Sequence, residues 1–425
     1  MTAATTPATC AIPDTPLANA IPGIMTCVHC GFCLQACPTY LALGDENDSP
    51  RGRILLMRSL VEGTLSIDDP DVQTHIDQCL GCRGCETACP SGVPYGHLLE
   101  ATRATLSQAK PIPLIAQLIL RVFERPRLLA FMLAGARLLR ATRLPRLLGL
   151  LPGRIGSSMA MLAATEVGVP RQPYTRRVTS TRGRTAILEG CVMRGLYSET
   201  NRATARTLRA NGYDVVHVEG QRCCGALHAH AGDLDGARRL ARKNIAAFEG
   251  SRVDFIAVNA AGCGAMMKDY GHLLGNDSQW VERAATTSAK VRDASELLEA
   301  AGPMHGAPLP MEVTYDAPCH LLHAQRIVKA PLAVLAAIPE LQVVPLTDAD
   351  QCCGAAGIYN LLEPEVSARV LEPKLAYIAA TKADFVTTGN PGCQMQIGAG
   401  MLRARIGRGT VHPIDLLDAS YARME

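Results

Sequence analysis

Two blocks of cysteine set the chemistry open to this chain: Cys27-x2-Cys30-x2-Cys33-x3-Cys37-Pro38 and Cys79-x2-Cys82-x2-Cys85-x3-Cys89-Pro90. Thiolates ligate iron, and runs of this spacing hold 4Fe-4S cubes in pairs. Three closely spaced cysteines wrap one cube, and the distal one before proline turns away to the other. The expected ligand sets are Cys27, Cys30, Cys33 and Cys89 for one cluster, and Cys79, Cys82, Cys85 and Cys37 for the second. The chemistry implied is one-electron transfer. Gly31, Gly81 and Gly84 suit loops that fold around a cube with amide N-H groups free to point at sulfide. Zinc ribbons use similar Cys-x2-Cys pairs, but four thiolates satisfy zinc and the third and distal cysteines of each run would be left over. Disulfides belong to oxidising compartments, and eight close thiols with no visible export signal argue against them.

Most of the remaining cysteines form a second pattern, because the chain repeats itself beyond residue 180. Ile187-Leu188-Glu189-Gly190-Cys191, Arg222-Cys223-Cys224-Gly225 and Gly262-Cys263 are echoed by Asp316-Ala317-Pro318-Cys319, Gln351-Cys352-Cys353-Gly354 and Gly392-Cys393. The lead cysteine stands 32 and 33 positions ahead of its pair, and the last follows 39 and 40 positions behind. Cys191, Cys223, Cys224 and Cys263, and likewise Cys319, Cys352, Cys353 and Cys393, are candidate ligands of a further iron-sulfur cluster or of a tetrahedral zinc. The alternative is that these are small buried hydrophobes, a common role for free cysteine. His228, His230, His320 and His323 lie near them in sequence and are expected to be ordinary hydrogen-bonded residues, not ligands.

The elements that must carry these thiols can be read from periodicity. Short β-rich runs at Thr185 to Glu189, Asp214 to Val218 and Asp254 to Val258 alternate with helical spacing at Ala203 to Leu208 and Leu234 to Phe248. The second copy offers strands at Val313 to Tyr315, Gln342 to Leu346 and Asp384 to Thr388, with helices at Leu321 to Ile338 and Glu365 to Ile378. Such alternation predicts α/β units on a mostly parallel sheet, with every repeat cysteine just past a strand end, where ligands of open sheets gather.

A chain of 425 residues accommodates several domains, and a net charge of +3 gives no case for nucleic acid. No Lys or Arg precedes Arg51, so neither a secretory signal nor a transit peptide is expected. Residues 1–22, rich in Ala, Thr and Pro, read as a flexible arm with Cys10 a free thiol. From Pro111 to about Arg154 apolar and basic residues mix, with Leu118, Phe123, Phe131 and Leu138 beside Arg121, Arg125, Arg127 and Arg137. No apolar run reaches the roughly 20 residues of a spanning helix. One or two amphipathic helices, broken near Pro126 and Pro145, are expected there. They serve either as a linker packed on its own domains or as a docking face for a partner or an anionic membrane.

Together these residues resemble a known family. Two ferredoxin-type motifs followed by two Cys-Cys-Gly repeats are similar to the iron-sulfur subunit of bacterial glycolate oxidase (glycolate dehydrogenase), with relatives in anaerobic glycerol-3-phosphate dehydrogenase and heterodisulfide reductase complexes. The glycolate branch is carried by Cys27-Val28-His29-Cys30-Gly31-Phe32-Cys33, Cys37-Pro38-Thr39-Tyr40, Pro50-Arg51-Gly52-Arg53-Ile54 and Cys85-Glu86-Thr87-Ala88-Cys89-Pro90-Ser91-Gly92-Val93. The resemblance implies a peripheral complex whose flavoprotein subunits, bearing FAD, oxidise glycolate and also lactate to the 2-oxo acid. This chain would relay electrons to a membrane acceptor such as quinone and would not oxidise substrate alone. No Gly-x-Gly-x-x-Gly follows a strand, in keeping with flavin on partners. The expected location is cytoplasmic, with peripheral attachment to the inner face of the cytoplasmic membrane left open.

The expected fold is thus an α+β/α/β multidomain chain: a mainly helical bacterial 2x4Fe-4S ferredoxin-like domain at 23–105, a basic amphipathic helical linker at 106–180, and Cys-Cys-Gly repeats at 181–305 and 306–425. One departure matters. Heterodisulfide reductase relatives end each repeat with Cys-x2-Cys, whereas Ala260 and Asn390 stand at the first of those positions here. That counts against the alternative of a disulfide-reducing catalytic subunit. The other alternative, an iron-sulfur subunit of a lactate or glycerol-3-phosphate dehydrogenase, turns on the partner's pocket.

Overall fold

The computed structural model describes residues 10–166, 174 and 182–424. Its N-terminal third is helical: α1 (Ile21–Met25), α2 (Pro38–Leu43), α3 (Pro50–Glu62), α4 (Pro70–Asp77), α5 (Gly84–Ala88) and α6 (Tyr95–Ala109). Prolines set three of these starts, because a fixed φ and a missing N-H suit the first turn. Pro38, Pro50 and Pro70 each stand at the beginning, and Ser49 and Asp69 cap α3 and α4 by accepting from Gly52 N and Asp71 N at 2.9 Å. Met57, Leu60, Val72, Ile76, Leu98 and Leu99 form the core between α3, α4 and α6.

The expected flexible arm is shorter than its composition suggests. Residues 1–9 lie outside the described residues. Beyond them Leu17 is fully buried in this core, Leu17 N donates to Thr105 Oγ1 at 3.0 Å, and Cys10 packs partly buried against the same cluster. A few apolar residues spaced to reach one core, Leu17 foremost with Ile12 and Ile21, outweigh a polar, proline-rich surround. α6 also runs through the expected junction at residues 105 and 106.

Four helices follow: α7 (Leu114–Glu124), α8 (Pro126–Ala141), α9 (Leu144–Leu148) and α10 (Gly153–Ala163). They break at Pro126 and near Pro145, the latter after Arg143 takes a left-handed φ of 59°. The rest of the basic segment, apart from Tyr174, lies outside the described residues up to Thr181.

Each repeat is a four-stranded parallel sheet. The first has order β2-β1-β3-β4 (Asp214–Val216, Arg184–Ile187, Phe255–Val258, Val291–Asp293) and the second β6-β5-β7-β8 (Leu341–Val344, Met311–Tyr315, Phe385–Thr387, Thr410–Val411). The fourth strands carry no sequence signal. β4 has three residues directly after a helix and β8 has two, each too short for alternation to register. Leu321 to Ile338, expected as one helix, is a π-helix at His320–Ala324 and an α-helix at Ala330–Ala336, separated where Arg326 takes φ 60°.

The duplication is visible in backbone detail. Leu188 N donates to Ala257 O and Asp316 N to Thr387 O, so these residues occupy the same place after β1 and β5. Gly225 and Gly354 both take left-handed φ (95° and 82°), and a Cβ on them would stand 3.2 and 2.7 Å from Ala237 O and Ser367 O. The glycine of each Cys-Cys-Gly therefore lets the loop press on a helix backbone that a side chain would displace. The repeats share one core in which Ile187, Leu208 and Leu297 meet Val313, Val334 and Leu417. Arg206 closes it with a bidentate pair to Asp418 at 2.9 and 2.6 Å.

Candidate iron-sulfur and cysteine-repeat sites

The loop between α1 and α2 supplies Cys27, Cys30 and Cys33, and the C-terminal end of α5 supplies Cys89. These four thiols line one cavity with Val28, Ile54, Pro90 and Val93, and Cys85 lines it as well. Cys30 is exposed, as are Val28 and Phe32, so this site opens to the surface. Cys37, Cys79, Cys82 and Cys85 form the second group, in which burial pushes the Cys85 thiol up and Cys82, Cys79 and Cys37 add like-charge repulsion. Thr39 Oγ1 lies 3.3 Å from Cys37 Sγ, and Gly81 N and Tyr95 Oη donate to Cys79 Sγ at 3.4 and 3.6 Å.

Two arginines of α3 serve the two groups separately, since residues two apart on a helix point different ways. The Arg51 backbone amide donates to Cys33, whose thiol burial still pushes up to about 11. The Arg51 side chain donates to His29 O at 3.4 Å and to Glu46 at 2.8 Å. Arg53 is fully buried and donates to His75 O at 2.6 Å, Thr39 Oγ1 at 2.9 Å and Asp48 Oδ1 at 3.0 Å. Burial opposes its charge, but Cys79, Tyr95, Cys37 and Asp48 hold the guanidinium protonated. Four converging sulfurs with amide donors and a buried cation fit a cluster whose thiolates leave it anionic.

The repeats gather their thiols from three strand ends each. In the first, Cys191 is hydrogen-bonded to Cys223, and Cys224 to Cys223 and Cys263. In the second, Cys352 is hydrogen-bonded to Cys319 and Cys353, and Cys353 to Cys393. Either set of four offers the ligand number of a cluster or of a tetrahedral zinc, although among the described residues no three of these thiols lie close enough together to hold a single ion as they stand.

Around these sulfurs the copies diverge. Cys352 also bonds Cys82, a thiol of the ferredoxin-type region. The buried Lys374 reaches Asp316 Oδ1 at 2.6 Å, and Thr388 Oγ1 donates to Asp316 Oδ2 at 3.0 Å. Burial works against the Lys374 charge, and Asp316, Cys353 and Cys393 outweigh it. Burial also lifts Asp316 above the carboxylate range while Lys374 pulls it back. With both carboxylate oxygens satisfied and Lys374 held charged, we read the pair as ionised. Cys353 lies well below the usual thiol range, through Cys352 and Cys393 first, with Ala355 N and Lys374 adding. Asn390 Nδ2 donates to Cys393 Sγ at 3.3 Å, and its Oδ1 accepts from Gly262 N at 3.4 Å.

In the first repeat, Leu188 stands where the second has Asp316, and Asn244 where it has Lys374. Asn244 donates to Cys223 O at 2.9 Å and accepts from Arg222 N at 2.8 Å, and Tyr270 Oη donates to Cys224 O at 2.8 Å. Cys191 is pushed up by its hydrogen bond to Cys223 and by burial. At Cys223 and Cys224 the hydrogen bonds to Cys191 and to Cys223, respectively, pull downward first, and those to Cys224 and Cys263 together with burial outweigh them, so both end above the usual thiol range.

The nearby histidines hold the regions together. His320 Nε2 meets Gly81 O at 3.0 Å, and His323 Nδ1 meets Thr87 Oγ1 at 2.8 Å, both across to the ferredoxin-type region. Burial pulls His320 down to about 3. His230 lies tilted over His320 with ring centroids 5.2 Å apart, and His228 is buried 3.9 Å from Glu124. Arg53, Lys374, Asp316 and Asn390 had no assigned role on sequence grounds. Lys374 carries a signal in retrospect: it sits with Val366, Val370, Leu371 and Ile378 on the buried face of the helix Pro364–Thr381, a charge in an apolar stripe.

Comparison with known proteins agrees with this layout. Residues 23–93 match a 4Fe-4S dicluster domain, and 185–268 and 313–398 each match a cysteine-rich domain. The chain is 37% identical to the "Probable glycolate oxidase iron-sulfur subunit" of Bacillus subtilis, covering 93% of each. It is 33% identical to the "Glycolate oxidase iron-sulfur subunit" of Escherichia coli, covering 94% of this chain and 95% of that one. It is 30% identical to "Lactate utilization protein A" of Geobacillus thermodenitrificans over 51% of this chain and 89% of the relative.

Proposed function

Because this chain belongs to the family of glycolate oxidase iron-sulfur subunits, we propose that it is the electron-transfer subunit of a flavin-dependent glycolate dehydrogenase. FAD on partner subunits oxidises glycolate to glyoxylate, and lactate by the same chemistry. This chain carries the electrons on to a membrane acceptor such as quinone. The observation that carries the reading is the end-to-end match to two such subunits together with paired thiol tetrads in the region that matches a dicluster domain. When bound, 4Fe-4S clusters accept single electrons and so drain a two-electron flavin stepwise.

The roles we assign are these. Cys27, Cys30, Cys33 and Cys89 hold one cluster, and Cys79, Cys82, Cys85 and Cys37 the other. Arg53 offsets thiolate charge beside Cys37 and Cys79, and Arg51 orders the loop at Cys33. Cys191, Cys223, Cys224 and Cys263, and Cys319, Cys352, Cys353 and Cys393, hold a further cluster or a zinc in each repeat. The protein works in the cytoplasm against the inner face of the membrane. No helix among the described residues is long and apolar enough to cross it.

The test is the complex reconstituted with its flavoprotein subunits, carrying Cys33→Ser or Cys85→Ser. Flavin bleaching by glycolate should persist, quinone reduction should stop, and iron should fall by about four per chain. Full glycolate-to-quinone turnover in either variant would sink the relay role.

A further inference from the structure

The helix α8 has no buried residue, although it carries seven large apolar side chains from Leu128 to Leu139. It is not loosely held. Leu133 packs so closely on Gly195 that a Cβ there would collide, and Arg140 donates to Thr165 O, Thr165 Oγ1 and Leu196 O at 3.0, 2.7 and 3.2 Å. What faces outward is ordered. Leu128, Phe131, Met132 and Leu138 are exposed at i, i+3, i+4 and i+10, one stripe of the helix. Phe131 and Leu138 expose 78% and 73% of their surface. Leu114 and Leu118 of α7 and Leu147 of α9 are exposed as well. A globular surface does not ordinarily leave so many large apolar side chains uncovered in one segment.

The charge of this segment names what covers it. From Arg125 to Thr165 there are seven arginines and no acidic residue, more than twice the whole chain's net charge of +3. Arg121, Arg125, Arg127, Arg137, Arg143 and Arg146 are exposed among the apolar residues. Apolar side chains that enter an acyl boundary, ringed by cations that meet phosphate, describe a helix lying in the interface of an anionic bilayer. The helices are too short and too charged to cross.

We propose that the outward face of α7, α8 and α9 docks this subunit on anionic lipid, with Leu128, Phe131 and Leu138 entering the headgroup boundary and Arg125 and Arg127, which flank that stripe, meeting phosphates. This rests on the reading that the acceptor lies in the membrane, and it assigns the surface that brings the complex there.

The experiment is vesicle flotation of the purified complex, with about 30% phosphatidylglycerol in phosphatidylcholine against phosphatidylcholine alone. The complex should float with the anionic vesicles only, and salt should weaken the association. F131D/L138D and R125E/R127E should each cut the bound fraction by about tenfold or more. Iron content and glycolate-driven reduction of a soluble dye should stay unchanged. Equal flotation of all three proteins, or no flotation of the parent complex, overturns the proposal. So does loss of the flavoprotein subunits from F131D/L138D, which would give this face to a protein partner. Lipid binding without any quinone reduction would instead fault the acceptor, not the surface.

Discussion

Beside Cys353 and Cys393 of the second repeat lies the buried ammonium of Lys374, whereas at the matching place in the first repeat Asn244 clasps the Cys223 carbonyl. The Cys352 thiol is hydrogen-bonded to Cys82 of the ferredoxin-type region, while Cys191, Cys223, Cys224 and Cys263 are hydrogen-bonded among themselves. The difference teaches that duplication preserved the four cysteines and let the surroundings drift apart. A fixed charge next to sulfur favours an anionic occupant, and neutral amides do so less. Asn390 sharpens the asymmetry. It stands where a fuller motif has a thiol, and here it donates a hydrogen bond to Cys393, whereas Ala260 in the first repeat has nothing to donate. The second repeat thus meets a thiol of the ferredoxin-type region directly, through Cys352 and Cys82.

The strongest way to break the comparison is to remove one thiol from each copy. Cys352→Ser should lower glycolate-to-quinone turnover at least 10–100-fold, roughly the effect of losing a metal's supporting shell, and should perturb the paramagnetic signal of the neighbouring cluster. Cys223→Ser should leave that signal unchanged. Equal perturbation by both would mean that the two repeats are equivalent.

Next in size is the buried pair. Lys374→Met strands Asp316 in the interior and should cost roughly 3–5 kcal/mol in denaturant unfolding, much of it regained in Lys374→Met/Asp316→Asn. The counterpart Asn244→Leu leaves buried neutral partners unsatisfied and should cost about 1–3 kcal/mol. A reversed order would show that the second repeat does not rest on this charge.

Asn390→Ala should make the second site harder to reduce, because a donor to sulfur stabilises the more negative state. A hydrogen bond worth ~0.5–1.5 kcal/mol corresponds to a shift of roughly 20–60 mV in a redox titration. An unchanged potential at a site shown to contain iron would remove Asn390 from its tuning.

The smallest effect concerns docking. The first repeat meets α6 through His97 Nε2 and Asp269 Oδ2 at 2.8 Å, while the second meets the ferredoxin-type region through neutral contacts of His320 and His323. Against the pull of burial, Asp269 holds His97 above its ordinary range, and His97 holds Asp269 below its own. The raised histidine stabilises fully below about pH 6.5 and loses this as pH rises through its folded value. The lowered carboxylate contributes above about pH 4 and loses this as pH falls. Stability lost in His97→Gln should therefore be about 1 kcal/mol near pH 5 and shrink toward pH 9. A pH-independent loss would make the contact one of packing alone.

Much of this was legible in the chain. Cysteine spacing announced both blocks and both repeats, and alternating periodicity located six of the eight strands now assigned. Prolines marked the breaks at Pro126 and Pro145. The misses share a cause. β4 and β8 are too short for any period, and residues 10–22 were judged by composition although Leu17, with Cys10, Ile12 and Ile21 beside it, anchors them to the core.

By itself the sequence determined the inventory of candidate thiols, because thiol spacing within a loop is local and survives whatever surrounds it. It determined the duplication for the same reason. Only the tertiary structure decided which sulfurs have a charge beside them. Lys374 lies a helix away from Cys353, and Cys82 meets Cys352 from the far side of the chain. Those distances are set by how three regions pack, and electrostatics depends on distance and burial, not on order along the chain.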